Sequence, residues 1–359
     1  MSNTKNKNHN GIISFWKFAF CVMIIALHLS VSMKQKYFLG GSIGVEFFFI
    51  VSGYLLGKAA LNEKNDNIGE KTNSYIMKKV KRLFPYMLFS WLFAMVLFVN
   101  TNEIPYAKHD IINSIWDIMF LKNSGMVYRT FLGVSWYISA MLICMIGLYP
   151  LVLKYKKSFV YIIAPLIVIL IGGYIANKYR TIAYTGDYIV SLLRALFELS
   201  LGVIVYTVSE KIKKVNFKKI TKVILTLCEF IGFASILFLV NLENAHVKYD
   251  FIMILIISLS TCIAFSEITY DLKIFNNKFF YFLEKLSLPM YLNQYFIFGL
   301  MSLILKNKFY DIPFYLNLII AVIASILISL IIMSLVKIYD CLIKKISKIF
   351  INSEVEVRK

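Results

Sequence analysis

The chain has 359 residues, of which 59% are apolar and only 16% are charged, and its formal net charge is +19. The apolar residues form stretches too long for the core helices of a soluble domain, which indicates a membrane-spanning protein. The Lys and Arg residues lie in short clusters between these stretches. The positive charge therefore reflects membrane topology and excludes a nucleic-acid-binding face.

A spanning length of about 20 residues predicts ten transmembrane helices, and so an all-α polytopic bundle. They lie near residues 12–33, 41–58, 84–100, 134–153, 158–176, 188–208, 221–242, 250–268, 286–305 and 313–336. A shorter apolar stretch at 111–121 is predicted to lie at the membrane interface. Residues 1–11 and 337–359 are then cytoplasmic tails, the second of them basic, on either side of a membrane domain of residues 12–336.

The charge distribution orients the predicted helices. With both ends of the chain in the cytoplasm, the inner loops and tails carry 27 of the 39 Lys and Arg residues, and the outer loops carry 10. Short cytoplasmic loops are enriched in Lys and Arg in membrane proteins. The sequence therefore predicts a multi-pass protein whose N-terminus and C-terminus are both cytoplasmic.

The five cysteines are odd in number, widely spaced and mostly within apolar stretches. Such spacing predicts neither a disulfide framework nor a metal site. Membrane lipid is the partner that the composition implies, and the sequence leaves monomer and homodimer both open.

Ionisable side chains at membrane depth are costly unless they are paired or hydrated, so they mark candidate sites. Six residues qualify: Lys17, His28, Glu46, Arg194, Glu198 and Glu229. Arg194 and Glu198 are four residues apart on one helix, so they are predicted to pair with each other. That pair is either a tie between helices or part of a binding site.

His28 and Glu46 are expected to lie at one depth. Lys17 and His28 are eleven residues apart, or about 16 Å along a helix, so Lys17 lies near the cytoplasmic boundary and His28 in the outer half. Glu46 lies about five residues into the second span, which descends from outside, so we expect its carboxylate to contact His28. This is the geometry of a general base, although a structural His or a proton relay fits the pattern equally well.

Several stretches resemble one family. Lys17 and His28 stand where its first helix has an Arg, ten residues and a His, and residues 44–55 match a Gly-Val-acid-Phe-Phe stretch leading into Ser-Gly-Tyr. Residues 78–86, 135–140 and 287–295 are similar to its basic stretch ending in Pro, its Trp-Tyr-Leu-Ser pattern and a late segment in which Gln294 stands where His is common. The chain thus resembles the membrane acyltransferase-3 family, whose small members acetylate surface polysaccharides.

The resemblance implies an enzyme of the bacterial plasma membrane with no bound cofactor. Its donor would be acyl-CoA, usually acetyl-CoA, and its acceptor a sugar hydroxyl on a glycan or lipid carrier. His28 would be the catalytic base or would carry a transient acyl group, with Glu46 orienting it. The remaining candidates are the CoA-binding cations Lys17, Lys78, Lys79, Lys81 and Arg82, and the acceptor-site or structural groups Ser52, Trp136, Tyr137, Arg194, Glu198, Tyr291 and Gln294.

Two other function classes compete with an acyltransferase. A polytopic bundle with buried charges also suits a transporter or flippase, which the absence of visible inverted repeats and the shortage of helix-interior breakers, of which Pro165 is the clearest, disfavour. A membrane sensor or scaffold would not need a His and an acid at one depth. The resemblance does not decide between acetyl and other acyl donors.

Overall fold

Helices make up every regular element in the part of the chain that the computed structural model describes, which is residues 10–64, 67–101, 104–123, 131–182, 188–242, 249–270, 272–306 and 308–357. The helices are α1 (Gly11–Ser32), α2 (Ile43–Leu61), α3 (Ile68–Thr101), α4 (Ile104–Ile118), α5 (Trp136–Ser158), α6 (Ala164–Tyr179), α7 (Tyr188–Lys213), α8 (Lys219–Leu239), α9 (Asp250–Ser266), α10 (Leu272–Phe275), α11 (Lys278–Leu305), α12 (Lys308–Asp311) and α13 (Phe314–Val357). A π-helical segment, Phe159–Ile163, joins α5 to α6.

Within the described residues, eight helical stretches are long and apolar enough to cross a membrane, so the chain is a multi-pass membrane protein. One stretch, Trp136–Tyr179, is 44 residues long and contains two of the predicted spans. Its backbone leaves helical geometry at Lys156, between those two spans. α9 is also apolar but has 17 residues. Each predicted span coincides with a helix, while the count of ten crossings and their orientation stay predictions.

Two helices extend well beyond the predicted spans. α3 begins at Ile68, 16 residues before the predicted span at 84–100, so the basic stretch around residue 80 is helical and not a loop. α13 continues from the last span through the basic tail to Val357 without a break. Hydropathy detects only the apolar part of a helix. A helix can continue outside the hydrocarbon core through turns that carry charged side chains, and hydropathy does not detect those turns.

The segment predicted at the interface is a helix with an unusual distribution of side chains. In α4, Ser114 and Asp117 are buried, whereas Ile112 and Ile115 are exposed. Asp117 accepts hydrogen bonds from the Ser135 hydroxyl at 2.5 Å and the Leu132 backbone at 3.2 Å. The buried carboxylate thereby fixes the turn that leads into α5.

The helices α1 and α11 lie side by side and run in the same direction. Four hydrogen bonds join them, and the paired residues are always 266 to 270 positions apart, so the two helices stay in register along their length. In an antiparallel pair, the difference between the residue numbers of successive partners would change steadily along the helices. This register decides which α11 side chains lie beside Lys17 and His28.

The helices α2 and α7 cross with their backbones close together. A Cβ on Gly53 would lie 2.2 Å from the Leu199 carbonyl oxygen, and one on Gly202 would lie 2.2 Å from the Ile50 oxygen. Small residues at a crossing let two backbones approach, which is how membrane helices gain packing energy without a hydrophobic driving force. The crossing holds α7 against α2, which carries the Gly-Val-acid-Phe-Phe motif.

Candidate functional site

A cavity of about 200 Å³ opens between α1, α2, α3, α5 and α11. Charged side chains line one part of it: Lys17, Lys79, Arg82 and Glu284. Aromatic and small polar side chains line the other part: Phe48, Ser52, Tyr137 and Tyr291. Glu284 and Tyr291 are seven residues apart on α11, so the two parts are about 10 Å apart along the helix axis. The cavity therefore leads from a charged mouth to an aromatic inner end.

One acid balances part of the positive charge at the mouth. The Lys17 ammonium is 2.5 Å from Glu284 Oε1, and the Ser14 hydroxyl donates to Glu284 Oε2 at 2.7 Å. The Lys79 ammonium lies over the Tyr75 ring, 5.2 Å from its centroid. Counted with their formal charges, the three cations and one carboxylate sum to +2. The mouth is suited to an anion.

Helical periodicity divides the predicted cationic cluster between two faces of α3. Lys79 and Arg82, three residues apart, line the cavity, while Lys78 and Lys81, also three apart, are exposed outside it. Residues three apart share a face of a helix, and the neighbouring residue is rotated by about 100°. The four predicted CoA-binding cations of this stretch therefore divide into two at the cavity and two away from it.

Hydrogen bonds hold the aromatic rings at the inner end. The Tyr291 hydroxyl donates to the Val134 carbonyl at 2.9 Å, and the Tyr137 and Ser52 hydroxyls are 3.3 Å apart. The Tyr137 and Tyr291 rings meet edge to face with centroids 5.9 Å apart. A ring pair of this geometry is a rigid, partly polar surface. The inner end can therefore contact both an apolar chain and a hydroxyl.

His28 lies just beyond this inner end and does not line the cavity. Its Nδ1 is 2.7 Å from Gln294 Oε1, and its ring stands 5.2 Å from the Tyr295 ring. Gln294 Nε2 in turn donates to the Tyr291 carbonyl at 2.8 Å. One turn of α11 thus connects the cavity wall at Tyr291 to the imidazole.

The expected contact between Glu46 and His28 is wrong. Glu46 is fully buried and forms an ion pair with Arg194 of α7, while the described partner of the His28 ring nitrogen is Gln294. Equal depth fixes the height of a side chain but not its direction around the helix. The α2 carboxylate points to α7, and the α1 imidazole points to α11.

The prediction that Arg194 pairs with Glu198 also needs correction. The ion pair that Arg194 forms is with Glu46, across helices, and its guanidinium lies 4.8 Å from the centroid of the half-buried Trp136 ring. Glu198 is fully buried on the next turn of α7 and interacts electrostatically with both members of the pair. The cluster formed by these side chains connects α2 to α7 and α5, next to the close helix crossing.

Glu284 is a site residue that the sequence reasoning missed. The predicted span begins at residue 286 and leaves Glu284 in a loop, whereas α11 begins at Lys278, so Lys17 and Glu284 each lie six residues after the start of their helices. His28 and Gln294 likewise lie 17 and 16 residues into their helices. This agreement in depth depends on the observed start of α11, and depth alone would not have chosen between Gln294 and Glu46 as the partner of His28. Among the described residues, no three His, Cys, Asp or Glu side chains gather to hold a metal.

Comparison with known proteins places these features in a family. An acyltransferase-3 profile, described as an acyltransferase domain, matches residues 10–334. A Staphylococcus aureus (strain COL) protein named "Putative O-acetyltransferase" is 34% identical over 95 residues, which are 26% of this chain and 15% of that protein. An "O-acetyl transferase" of Shigella phage Sf6 is 25% identical over 181 residues, which are 44% of this chain and 51% of that protein.

These alignments span at most about half the length of the relatives named. No solved structure matches the chain. The family profile, in contrast, covers the whole bundle from α1 into α13 and includes the cavity, His28 and Gln294. This chain belongs to the acyltransferase-3 family.

Proposed function

We propose that this protein is an O-acetyltransferase of the bacterial plasma membrane that moves an acetyl group from cytoplasmic acetyl-CoA to a sugar hydroxyl of a cell-envelope glycan. The proposal includes ten membrane crossings with both ends in the cytoplasm. The observation that carries it is the cavity, whose cationic mouth leads along α11 to the segment that holds His28. The names of the two relatives support O-acetyl transfer.

The mouth has the chemistry to hold the phosphates of CoA. Lys79 and Arg82 can form charge-assisted hydrogen bonds with phosphate oxygens, which are stronger than neutral ones. Lys17 replaces the Arg of the family pattern, so it supplies charge without a bidentate fork, and it shares that charge with Glu284. In the proposed orientation the mouth faces the cytoplasm, where acyl-CoA is made.

The reaction follows from the order of groups along the cavity. The thioester arm extends from the mouth toward Tyr291, one turn before the partner of His28 on α11. A ring nitrogen of His28 takes the proton of the acceptor hydroxyl as the oxygen attacks the thioester carbonyl. The C–S bond then breaks, and the departing thiolate receives a proton from the imidazolium. The products are the acetyl ester and CoA.

Replacing His28 tests the reaction. For purified, monodisperse His28→Ala protein, we expect transfer of label from ¹⁴C-acetyl-CoA to cell-envelope glycan from a strain lacking this chain to fall by at least about 100-fold, since general-base catalysis contributes on this order. The control is thermal stability close to that of the parent protein. Undiminished transfer by the variant would remove His28 from the mechanism.

A second experiment identifies the acceptor class. NMR of surface glycans from cells with and without the chain should show O-acetyl signals that depend on it. Glycan uptake or flipping by proteoliposomes, without any acyl transfer, is the outcome that would contradict the proposal and favour a transporter.

A further inference from the structure

The side chain of Gln294 has a single orientation that satisfies its surroundings. It is fully buried, and its Nε2 donates to the Tyr291 carbonyl at 2.8 Å. The opposite amide orientation would place the Gln294 oxygen against that carbonyl oxygen, so that two acceptors would face each other. Oε1 is therefore the atom that faces His28 Nδ1 at 2.7 Å.

The amide orientation determines which imidazole nitrogen carries hydrogen. An amide oxygen can only accept, so Nδ1 of His28 must be the donor. In the neutral ring the lone pair then resides on Nε2, which is the nitrogen left to take a proton. The chain of hydrogen bonds from the Tyr291 carbonyl through Gln294 to His28 fixes this tautomer.

The partner of the imidazole is neutral, and this distinguishes the pair from a His–carboxylate dyad. A carboxylate on Nδ1 would stabilise the imidazolium by direct charge attraction, whereas an amide orients the ring without that attraction. Tyr295 of α11 is the titratable group in ring contact with His28. The nearest charged groups along α1 and α2, Lys17 and Glu46, are each held in the ion pairs described above.

We propose that Gln294 is a positioning residue that holds His28 as the Nδ1-protonated, neutral tautomer and so directs Nε2 as the base toward the acceptor hydroxyl. The inference rests on the proposed acyl transfer, and Gln294 itself touches no reacting atom. Its role goes beyond packing because both of its polar groups are committed, one to the backbone of its own helix and one to the imidazole.

Three variants separate positioning from stability. Gln294→Met keeps the volume but removes the acceptor, and Gln294→Glu keeps an acceptor oxygen but adds a negative charge. Asn293→Leu is the matched control, because this neighbouring buried amide donates to Ser90 at 2.9 Å and to the Pro289 carbonyl at 2.8 Å and makes no described contact with His28. Transfer from ¹⁴C-acetyl-CoA to the glycan preparation is measured as kcat and KM across pH.

For Gln294→Met we expect kcat to fall on the order of 10- to 100-fold with KM for acetyl-CoA unchanged, because a misplaced base slows the chemical step and not donor binding. For Gln294→Glu, the acid limb of the pH profile should move to higher pH, since the added carboxylate favours the protonated ring. Asn293→Leu should lower thermal stability while the pH profile and the kcat of the folded fraction stay as in the parent.

The inference is overturned if Gln294→Met retains kcat within twofold. It is also overturned if Asn293→Leu reproduces the kinetic changes, because both amides would then act through packing. Parent protein that transfers no acetyl group contradicts the proposed function instead, and this arm is measured first.

Discussion

Lys78 and Lys79 are adjacent and chemically identical, yet only Lys79 lines the cavity. The difference comes from rotation around α3, which turns every third or fourth side chain toward α1 and α11. Replacing Lys78 and Lys79 one at a time therefore distinguishes a local contact with the donor from the general effect of cytoplasmic positive charge.

For Lys79→Ala we expect KM for acetyl-CoA to rise about 10- to 150-fold at unchanged kcat, because a hydrogen bond to a charged group is worth about 1.5–3 kcal/mol. The Lys78→Ala variant removes the same charge from the exposed face and should stay within twofold of the parent. Steady-state kinetics of both purified variants at one ionic strength make the comparison. Equal increases in KM would show that the mouth acts only through overall charge.

At the same scale, the sequence identified residues better than it identified their partners. Each buried charge on α1, α2 and α7 could be named from hydropathy alone, since an ionisable group in an apolar stretch is conspicuous. The partners could not, because the direction of a side chain around its helix depends on which neighbour packs there. The partner of His28 is the uncharged Gln294. A neutral polar side chain costs too little at membrane depth for hydropathy to identify it as a site residue.

The crossing of α2 and α7 is the element on which the site geometry depends. It brings Glu46 to Arg194, and it places α2 so that Phe48 and Ser52 form the cavity wall. Gly53 and Gly57 lie four residues apart on α2 and face α7. A Cβ on Gly53 would lie 2.2 Å from the Leu199 carbonyl oxygen, and one on Gly57 would lie 3.2 Å from Val203 Cα.

For Gly53→Ala we expect a stability loss of about 1–3 kcal/mol, because the new methyl group would overlap the Leu199 carbonyl and overpacking has this cost. Gly147→Ala is the control, since a Cβ there has no atom within 4 Å. Thermal unfolding in detergent should show a lower midpoint for the first variant and none of that loss for the second. Equal midpoints would mean that the crossing can open without cost.

Element boundaries were predictable where hydropathy changes sharply and not elsewhere. α1, α7 and α9 begin within a residue or two of the predicted spans, since polar residues precede these helices in the sequence. α3 and α13 were underestimated because Lys and Arg have good helix propensity, so a basic stretch can continue a helix after the apolar stretch ends. Because residues 78–82 were not predicted to be helical, the helical periodicity that places Lys78 and Lys79 on different faces was also missed.

For the whole molecule, the decisive property is which loops share a side of the membrane. Donor access to the mouth requires Lys64 and Val215, which follow the ends of α2 and α7, to face the cytoplasm. The turn at Lys34 and the short helix α12 at Tyr310 must then face outward. The charge count and the parallel course of α1 and α11 are both consistent with this arrangement.

Cysteine labelling tests the arrangement in a background without native cysteines. An impermeant maleimide added to intact spheroplasts should label Lys34→Cys and Tyr310→Cys. We expect Lys64→Cys and Val215→Cys to react only after the membrane is permeabilised. Labelling of Lys34→Cys and Tyr310→Cys from opposite sides would require an odd number of crossings between them and would contradict the ten-helix topology.

The continuous helix α13 sets a fixed distance at one end of the molecule. Its 44 residues extend about 66 Å, roughly twice the thickness of a bilayer's hydrocarbon core. Apart from Tyr339, the side chains from Lys337 to Ser347 are exposed, so this part of the helix stands clear of the bundle. In the proposed topology, with α13 along the membrane normal and its span ending at residue 336, we expect a fluorophore near Val357 to lie about 30 Å beyond the hydrocarbon core. Energy transfer to membrane dyes would measure that height.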